Sequence, residues 1–350
     1  MNYIGSKYSL LPFIEQTFRA VSDGSERTFC DIFAGTGIVG RHFKKLGFRI
    51  VSNDIQYYAY ALNKAYIEIN HQPAFKGLKR AFTKEFAQSQ SLFNDPVAQS
   101  LALVNRLPGK RGFITENYGP AGNRYYYAQA NAERADAIRQ ALTEWETQGL
   151  LTEQEFFYLL CSLLEAIDQV ANTASVYGAF LKNYKGSALK PLTLKPLALT
   201  NHVTGSQVFN QDANALIESV ACDVLYLDPP YNHRQYGANY HVLETIAAYD
   251  NPKLTGVTGM RDYIRSRYCQ AKAAAEALED LVTKAQTKHI LLSYNDEGLL
   301  SLEEVKRILS LRGEPQTFQT NYSRFKADNG RTYKRNATIE YIHYVRVIKS

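Results

Sequence analysis

Hydrophobic and polar positions divide the chain into three stretches of different rhythm. From Thr28 to about Asn70, short apolar runs alternate with helical periods: Phe29 to Ile32 reads as a strand, a glycine turn and a helix follow, and Arg49 to Asn53 reads as a second strand. Between residues 75 and 200 the alternation stops. A polar stretch from Lys84 to Gln99 leads to a Gly/Tyr-rich loop, Asn117 to Tyr127, and then to two helical patterns, Asn131 to Glu146 and Thr152 to Val170. The second of these opens on Thr152-Glu153-Gln154-Glu155, a capping-box spacing. From Gln207 the rhythm resumes. Strands are expected at Gln207 to Asp212, Val224 to Leu227, His289 to Asn295 and Thr338 to Val347, with helices near His241 to Asp250, Arg261 to Lys284 and Ser301 to Leu309. The pattern predicts an open α/β sheet built from 1–74 and 201–350, holding the chemistry. A mostly helical region, 75–200, is inserted between its second and third strands.

Two segments at strand ends carry candidate chemistry. Val224-Leu225-Tyr226-Leu227 runs straight into Asp228-Pro229-Pro230-Tyr231. Two prolines forbid a continuing ladder and keep Asp228 extended, so a carboxylate stands at the carboxyl end of a buried strand, where open α/β sheets bind ligands. An acid, a proline carbonyl and an exposed Tyr could hold a planar group with an exocyclic amine. A Pro-Pro pair that only ends an edge strand is the alternative. Upstream, Gly35 and Gly37 in Phe33-Ala34-Gly35-Thr36-Gly37 let the backbone turn tightly toward a ligand, and Asp54 past the second strand can accept two ribose hydroxyls. A plain turn and a helix N-cap are the competing readings of these glycines and of Asp54.

These residues resemble a Dam-type, alpha-group DNA adenine-N6 methyltransferase. Tyr3-Ile4-Gly5-Ser6-Lys7 resembles that group's opening motif, Phe33 to Gly37 its glycine loop, Asp212 the acid that reads the cofactor's adenine, and Asp228 to Tyr231 its catalytic motif. The resemblance implies a Rossmann-like sheet that uses S-adenosyl-L-methionine. It places Tyr3, Phe33, Gly35, Gly37, Asp54 and Asp212 around the cofactor and Lys7 near the catalytic loop. Asp31 would stand beside the cofactor's methionine part, unless it is only a capping acid. Asp228, Pro229, Pro230 and Tyr231 would hold an adenine flipped out of duplex DNA. The inserted region would read the target sequence, and a cognate restriction endonuclease could accompany the enzyme. An RNA adenine-N6 methyltransferase, an N4-cytosine methyltransferase with the same geometry, where Ser is commoner in place of Asp228, and an inactive DNA-binding protein of the same fold are the alternatives.

Composition agrees with a nucleic-acid enzyme without proving one. The 350 residues carry a net charge of +6, and the pI is near 8.9. No stretch reaches the roughly 18 apolar residues of a membrane span, and the N-terminus lacks the run of a signal peptide. The expectation is a soluble, cytoplasmic protein at the nucleoid, a monomer or weak dimer. The four cysteines are far apart, with no metal-ligand spacing, and read as buried thiols. Candidate DNA contacts are Lys110, Arg111 and Arg124 in the insertion, with Lys182, Lys185, Lys190 and Lys195 on its far side. Arg234 and Tyr236 follow the catalytic motif. Arg324, Lys326, Arg331 and Arg335 surround the turn signal Asn329-Gly330. Tyr118, Tyr125 and Tyr126 are the aromatic rings expected among the insertion's basic loops. Tyr240 and His241 could reach DNA or simply start a helix.

Overall fold

The computed structural model describes residues 3–88, 95–201, 203–323 and 337–348. The chain divides into two compact units. One gathers Gly5–Asn63, His202–Gly237 and Ile264–Ser350 and holds the sheet. The other gathers Met1–Ile4, Lys64–Asn201 and Ala238–Tyr263. The second therefore takes in residues 64–74 and 238–263, which the alternation of strands and helices had left with the sheet.

The sheet has seven strands among the described residues: β1 (Thr28–Asp31), β2 (Arg49–Asn53), β3 (Gln207–Phe209), β4 (Val224–Leu227), β5 (His289–Asn295), β6 (Pro315–Ser323) and β7 (Ala337–Arg346). Their order is β3-β2-β1-β4-β5-β7-β6. The first five are parallel, and β7 lies antiparallel between β5 and β6. β4 and β5 are buried along their whole length, which is why Val-Leu-Tyr-Leu and Ile-Leu-Leu read as unbroken apolar runs rather than alternating ones. The order runs outward in both directions from β1 and β4, so a crevice opens beyond their carboxyl ends.

Local chemistry accounts for most element boundaries. Ser301 caps the helix Leu302–Ser310 by accepting from the Glu304 amide. In the other unit, Thr152 and Glu155 form a reciprocal capping box on the helix Glu153–Gln169. Three expectations change. β3 ends at Phe209, because the Asn53 carboxamide binds the backbone of Gln211 and Asp212 already caps the next helix. The helix expected from Arg261 begins only at Ala271 and runs to Lys284; Ser266 caps a separate 3-10 turn, Arg267–Cys269, ahead of it. β6 carried no strand signal. It is a polar edge strand that opens on Pro315, a position where the missing N–H does no harm.

The second unit is mainly helical, with Pro96–Asn105, Gln129–Thr147 and Glu153–Gln169 as its longer helices. It also carries a short hairpin closed by a Thr255–Met260 bridge. Val257 at its tip is 81% exposed. The hairpin's backbone is held from below. Arg124 donates to the carbonyls of Gly256 and Val257, Tyr126 to Thr258 and Tyr118 to Gly259, and a ring nitrogen of His241 lies 3.0 Å from the Thr258 carbonyl. Gly259 is required there: its φ is +67°, and a Cβ would stand 2.8 Å from Arg124 Nε.

Candidate active site

Asp228 follows β4 directly, with 17% of its side chain exposed. The Lys7 ammonium lies 3.2 Å from its Oδ1 and 3.5 Å from Glu340 Oε2 on β7. Apart from Lys7, Asp228 Oδ1 and Glu340 Oε2 have no hydrogen-bond partner, so each keeps acceptor capacity. Burial pushes the Asp228 carboxyl up to about 6, against the pull of Lys7 and with the help of Glu340's charge. Lys7 itself is 3% exposed. Burial works against its charge, but Asp228, Tyr231 and Glu340 outweigh that and hold its pKa above the ordinary value. Tyr231 was expected to be exposed. It is half-buried, edge-on to Tyr294, with the Lys7 ammonium 5.4 Å from its ring centre.

The glycine loop lies beyond β1, beside this group. Gly35 and Gly37 have φ of +52° and +75°, and Gly37 caps the helix Ile38–Lys45. A Cβ on Gly37 would fall 2.4 Å from Asn63 Oδ1, so this is a required glycine and not an incidental turn. Asn63 is buried beneath the loop: it donates to the Gly35 carbonyl and accepts from Ser52. Asn53 ties the ends of β1 and β3 together by donating to Ile32 and Gln211. No motif in the sequence pointed to either asparagine; each stands in an ordinary strand or helix context.

Three acids face this loop or its neighbouring strand ends. Asp31 is 1% exposed, and its Oδ1 has no hydrogen-bond partner. Burial, then the charge of Asp228, raises its pKa well above the carboxylate range, while the Gly40 amide pulls the other way. Both readings of Asp31 thus have a basis, since one amide contact resembles capping and one oxygen is left open. Asp54 accepts from the Gly35 and Gln56 amides, which joins the end of β2 to the glycine loop. Asp212 is exposed and caps the helix Ala213–Leu216 through Oδ1. Phe33 is half-buried, edge-on to Tyr268.

Residues 3–308 match the family described as D12 class N6 adenine-specific DNA methyltransferase. The chain is 43% identical over 349 residues to the Type II methyltransferase M.NlaIII of Neisseria lactamica, covering 98% of both proteins. It belongs to the D12-class N6 adenine-specific DNA methyltransferases. It is also 32% identical to the Type II methyltransferase M.CviAII of Paramecium bursaria Chlorella virus 1, with 93% of each covered. To the Type II methyltransferase M.FokI of Planomicrobium okeanokoites it is 41% identical, and there it spans about half of the relative's length, 52%.

As a D12-class enzyme the chain needs a methyl donor and a DNA adenine, and most of the residues expected to hold them lie at the carboxyl ends of the sheet unit's strands. Asp31, Phe33, Gly35, Gly37 and Asp54 stand at the ends of β1 and β2, Asp212 follows β3, and Lys7, Asp228 and Tyr231 group at β4. Tyr3 belongs to the other unit, where its ring stacks on Tyr240. Tyr240 and His241 are fully buried, and the Tyr240 hydroxyl accepts from the Ile4 amide, so they serve the fold.

The expected DNA-contact residues fall into different settings. Lys110 and Arg234 are exposed. Arg111 is exposed and paired with Glu116 at 2.8 Å. Arg124 is a clamp: its guanidinium donates to the carbonyls of Asn117, Gly256 and Val257. Tyr236 is half-buried against Gly5, where a Cβ would meet its hydroxyl at 2.6 Å. Tyr118 and Tyr126, expected among the DNA-touching rings, are fully buried and hold the hairpin instead. Arg324, Lys326, Arg331 and Arg335 lie outside the described residues. The described residues contain no helix long and apolar enough to cross a membrane and no group of side chains suited to a metal ion.

Proposed function

We propose that the enzyme methylates N6 of a specific adenine flipped out of duplex DNA, with S-adenosyl-L-methionine as donor, as the modification partner of a restriction system. The observation that carries this reading is Asp228: a largely buried carboxylate at the switch point of the sheet, with an oxygen open to accept and Pro-Pro-Tyr behind it. The order of Tyr3 to Lys7, Phe33 to Gly37, Asp212 and Asp228 to Tyr231 favours the alpha-group, Dam-like arrangement. The residues suit the cofactor. Asp31's open oxygen fits an amino group, the left-handed glycines leave room for close approach, and Asp54 and Asp212 offer acceptors for ribose and adenine. Bound there, the cofactor supplies an electrophilic methyl on a sulfonium, a good leaving group.

The protein's own residues do the rest. The adenine amino group is a poor nucleophile because its lone pair is delocalised into the ring. Asp228 and the Pro229 carbonyl each accept one N–H, draw the hydrogens out of the ring plane and stabilise the charge that develops on nitrogen. Tyr231 stacks on the flipped base, which returns part of the few kcal/mol that flipping costs. The amine gives up its proton easily after transfer, so no covalent enzyme intermediate is needed. Target reading belongs to the unit that contains Lys64–Asn201. Lys110 and the exposed hairpin tip at Val257 are its candidate DNA contacts; from the sheet unit, the basic segment with Arg324, Lys326, Arg331 and Arg335 is a further candidate, and Arg234 serves beside the catalytic loop. The enzyme acts in the cytoplasm on the nucleoid, as a monomer or weak dimer.

Sequencing of methylated bases in DNA from cells that express the chain tests this directly. N6-methyladenine at one short motif, absent with Asp228→Ala, is expected. Matched DNA and RNA substrates with tritiated cofactor separate the RNA alternative, which preference for RNA would establish.

A further inference from the structure

The sheet unit buries two carboxylates against one ammonium, and the motif at Asp228 does not explain the second. Glu340 sits on β7, 5% exposed, opposite Asn295 in the antiparallel register. Asn295 Nδ2 approaches its Oε1 at 3.4 Å, and its Oε2 has no hydrogen bond and faces Lys7 at 3.5 Å. Burying an acid in this way is expensive unless the charge does something for its neighbours. What it does is visible in Lys7: the ammonium is shared between two acids, 3.2 Å from Asp228 Oδ1 and 3.5 Å from Glu340 Oε2.

We infer that Glu340 is a positioning residue for methyl transfer: by sharing the Lys7 ammonium, it weakens the hold of Lys7 on Asp228 and leaves the Asp228 carboxylate freer to accept the adenine amino group. Without a second acid, Lys7 would pair with Asp228 alone and hold its negative charge more tightly, away from the adenine amino group. The inference rests on Asp228 as the acceptor of the adenine N–H. The groups facing Asp228 are Lys7 from the N-terminal segment, Asp31 from β1, Tyr226 from β4, Tyr231 from the catalytic loop and Glu340 from β7. Of these, Glu340's charge works with burial to hold the Asp228 carboxyl up, and Lys7 opposes both.

The test is Glu340→Gln, close in shape and without charge, measured for single-turnover methylation against pH on unmethylated DNA carrying the mapped target site. Cofactor affinity on the same preparations checks the fold. The expected result is at least a tenfold lower rate on the plateau, an acid limb moved to lower pH, and unchanged cofactor affinity. A merely structural role could lower the rate but would not move the limb, so a wild-type limb overturns the inference, as does a wild-type rate. If that variant fails to fold, Glu340→Asp decides: a carboxylate drawn back by one methylene should give a several-fold loss and a smaller shift of the limb in the same direction, and a wild-type profile overturns the inference. Asp228→Ala runs alongside. Should it transfer normally, the site reading and this inference both fall. Should it be inactive while Glu340→Gln is wild-type, only this inference falls.

Discussion

Two buried charged clusters stand at opposite ends of the same sheet, and β5 and β7 belong to both. At the amino end, Glu26 is 3% exposed and His289 is 1% exposed. The Glu26 carboxylate accepts from the Ser22 hydroxyl and from the amides of Asp23 and Gly24, and it pairs with His289, whose other ring nitrogen meets the Tyr344 hydroxyl. Burial would raise its carboxyl, yet these partners win and hold it below the usual range. At the carboxyl end, Asp31, Asp228 and Glu340 each keep an oxygen without a hydrogen bond, and the Asp31 and Asp228 carboxyls are held up. The shifts are opposite: at Glu26 hydrogen bonds outweigh burial, while at Asp31 and Asp228 burial outweighs the few partners that remain. The satisfied cluster serves the fold. The unsatisfied one is the proposed place of methyl transfer.

The largest effect expected from this contrast is at Asp228. Asp228→Ala should reduce methyl transfer about a hundredfold or more, the scale of a lost oxyanion-hole-type partner. It should leave cofactor affinity and melting temperature nearly unchanged, since Lys7 keeps Glu340. Stopped single-turnover assays check the rate, and activity within tenfold of wild type would contradict the assignment.

The two clusters should also separate on a pH axis. Asp228 titrates near 6, so transfer should fall as pH drops through about 6. Its raised pKa means that protonation favours the folded state, so this group adds no instability there. Glu26 is depressed, so its contribution to stability is complete above the ordinary glutamate value of about 4.3 and is lost only as pH falls below it. A window from roughly 4.5 to 6, folded but slow, follows from these shifts. Circular dichroism and rate measurements across that range check it, and coincident loss of both would remove the distinction.

Smaller effects concern the cofactor. Asp54→Ala and Asp212→Ala should each weaken S-adenosyl-L-methionine binding by about 1–3 kcal/mol, the scale of a lost hydrogen bond to a charged group. The Asp54 change would also release the Gly35 amide, so it should be the larger of the two. Calorimetry decides, and unchanged affinity in both would move the pocket elsewhere. Smallest of all, Lys110→Ala or Arg331→Ala should flatten the salt dependence of DNA binding by about 0.9 in the log–log slope per lost phosphate contact, with cofactor affinity untouched. An unchanged slope would take that surface out of the interface.

The contrast between the clusters also explains what the sequence could reveal. β2, β4 and β5 were legible because apolar runs bounded by turn residues need no long-range partner to be recognised. Asp228, Gly35 and Gly37 were legible because proline and glycine leave a backbone signature. Lys7 drew notice only by resemblance, and Glu340 drew none: an acid inside an alternating terminal strand looks solvent-facing until β7 is found between two other strands. β6 was hidden by its polar edge composition. Tyr118 and Tyr126 were misread as surface because a Gly/Tyr-rich loop gives no hint that a hairpin more than a hundred residues away will cover it.

The most direct test compares Glu26→Ala and Asp228→Ala in one experiment, with melting and single-turnover transfer measured on the same preparations. A crossed pattern is expected. Glu26→Ala strands His289 and two amides and should lose about 3 kcal/mol of stability, with a near-normal rate per folded molecule. Asp228→Ala should melt like wild type and fail to transfer the methyl group. Normal transfer by Asp228→Ala, or a transfer defect in folded Glu26→Ala that matches it, would contradict the claim that the unsatisfied end of the sheet is the catalytic one.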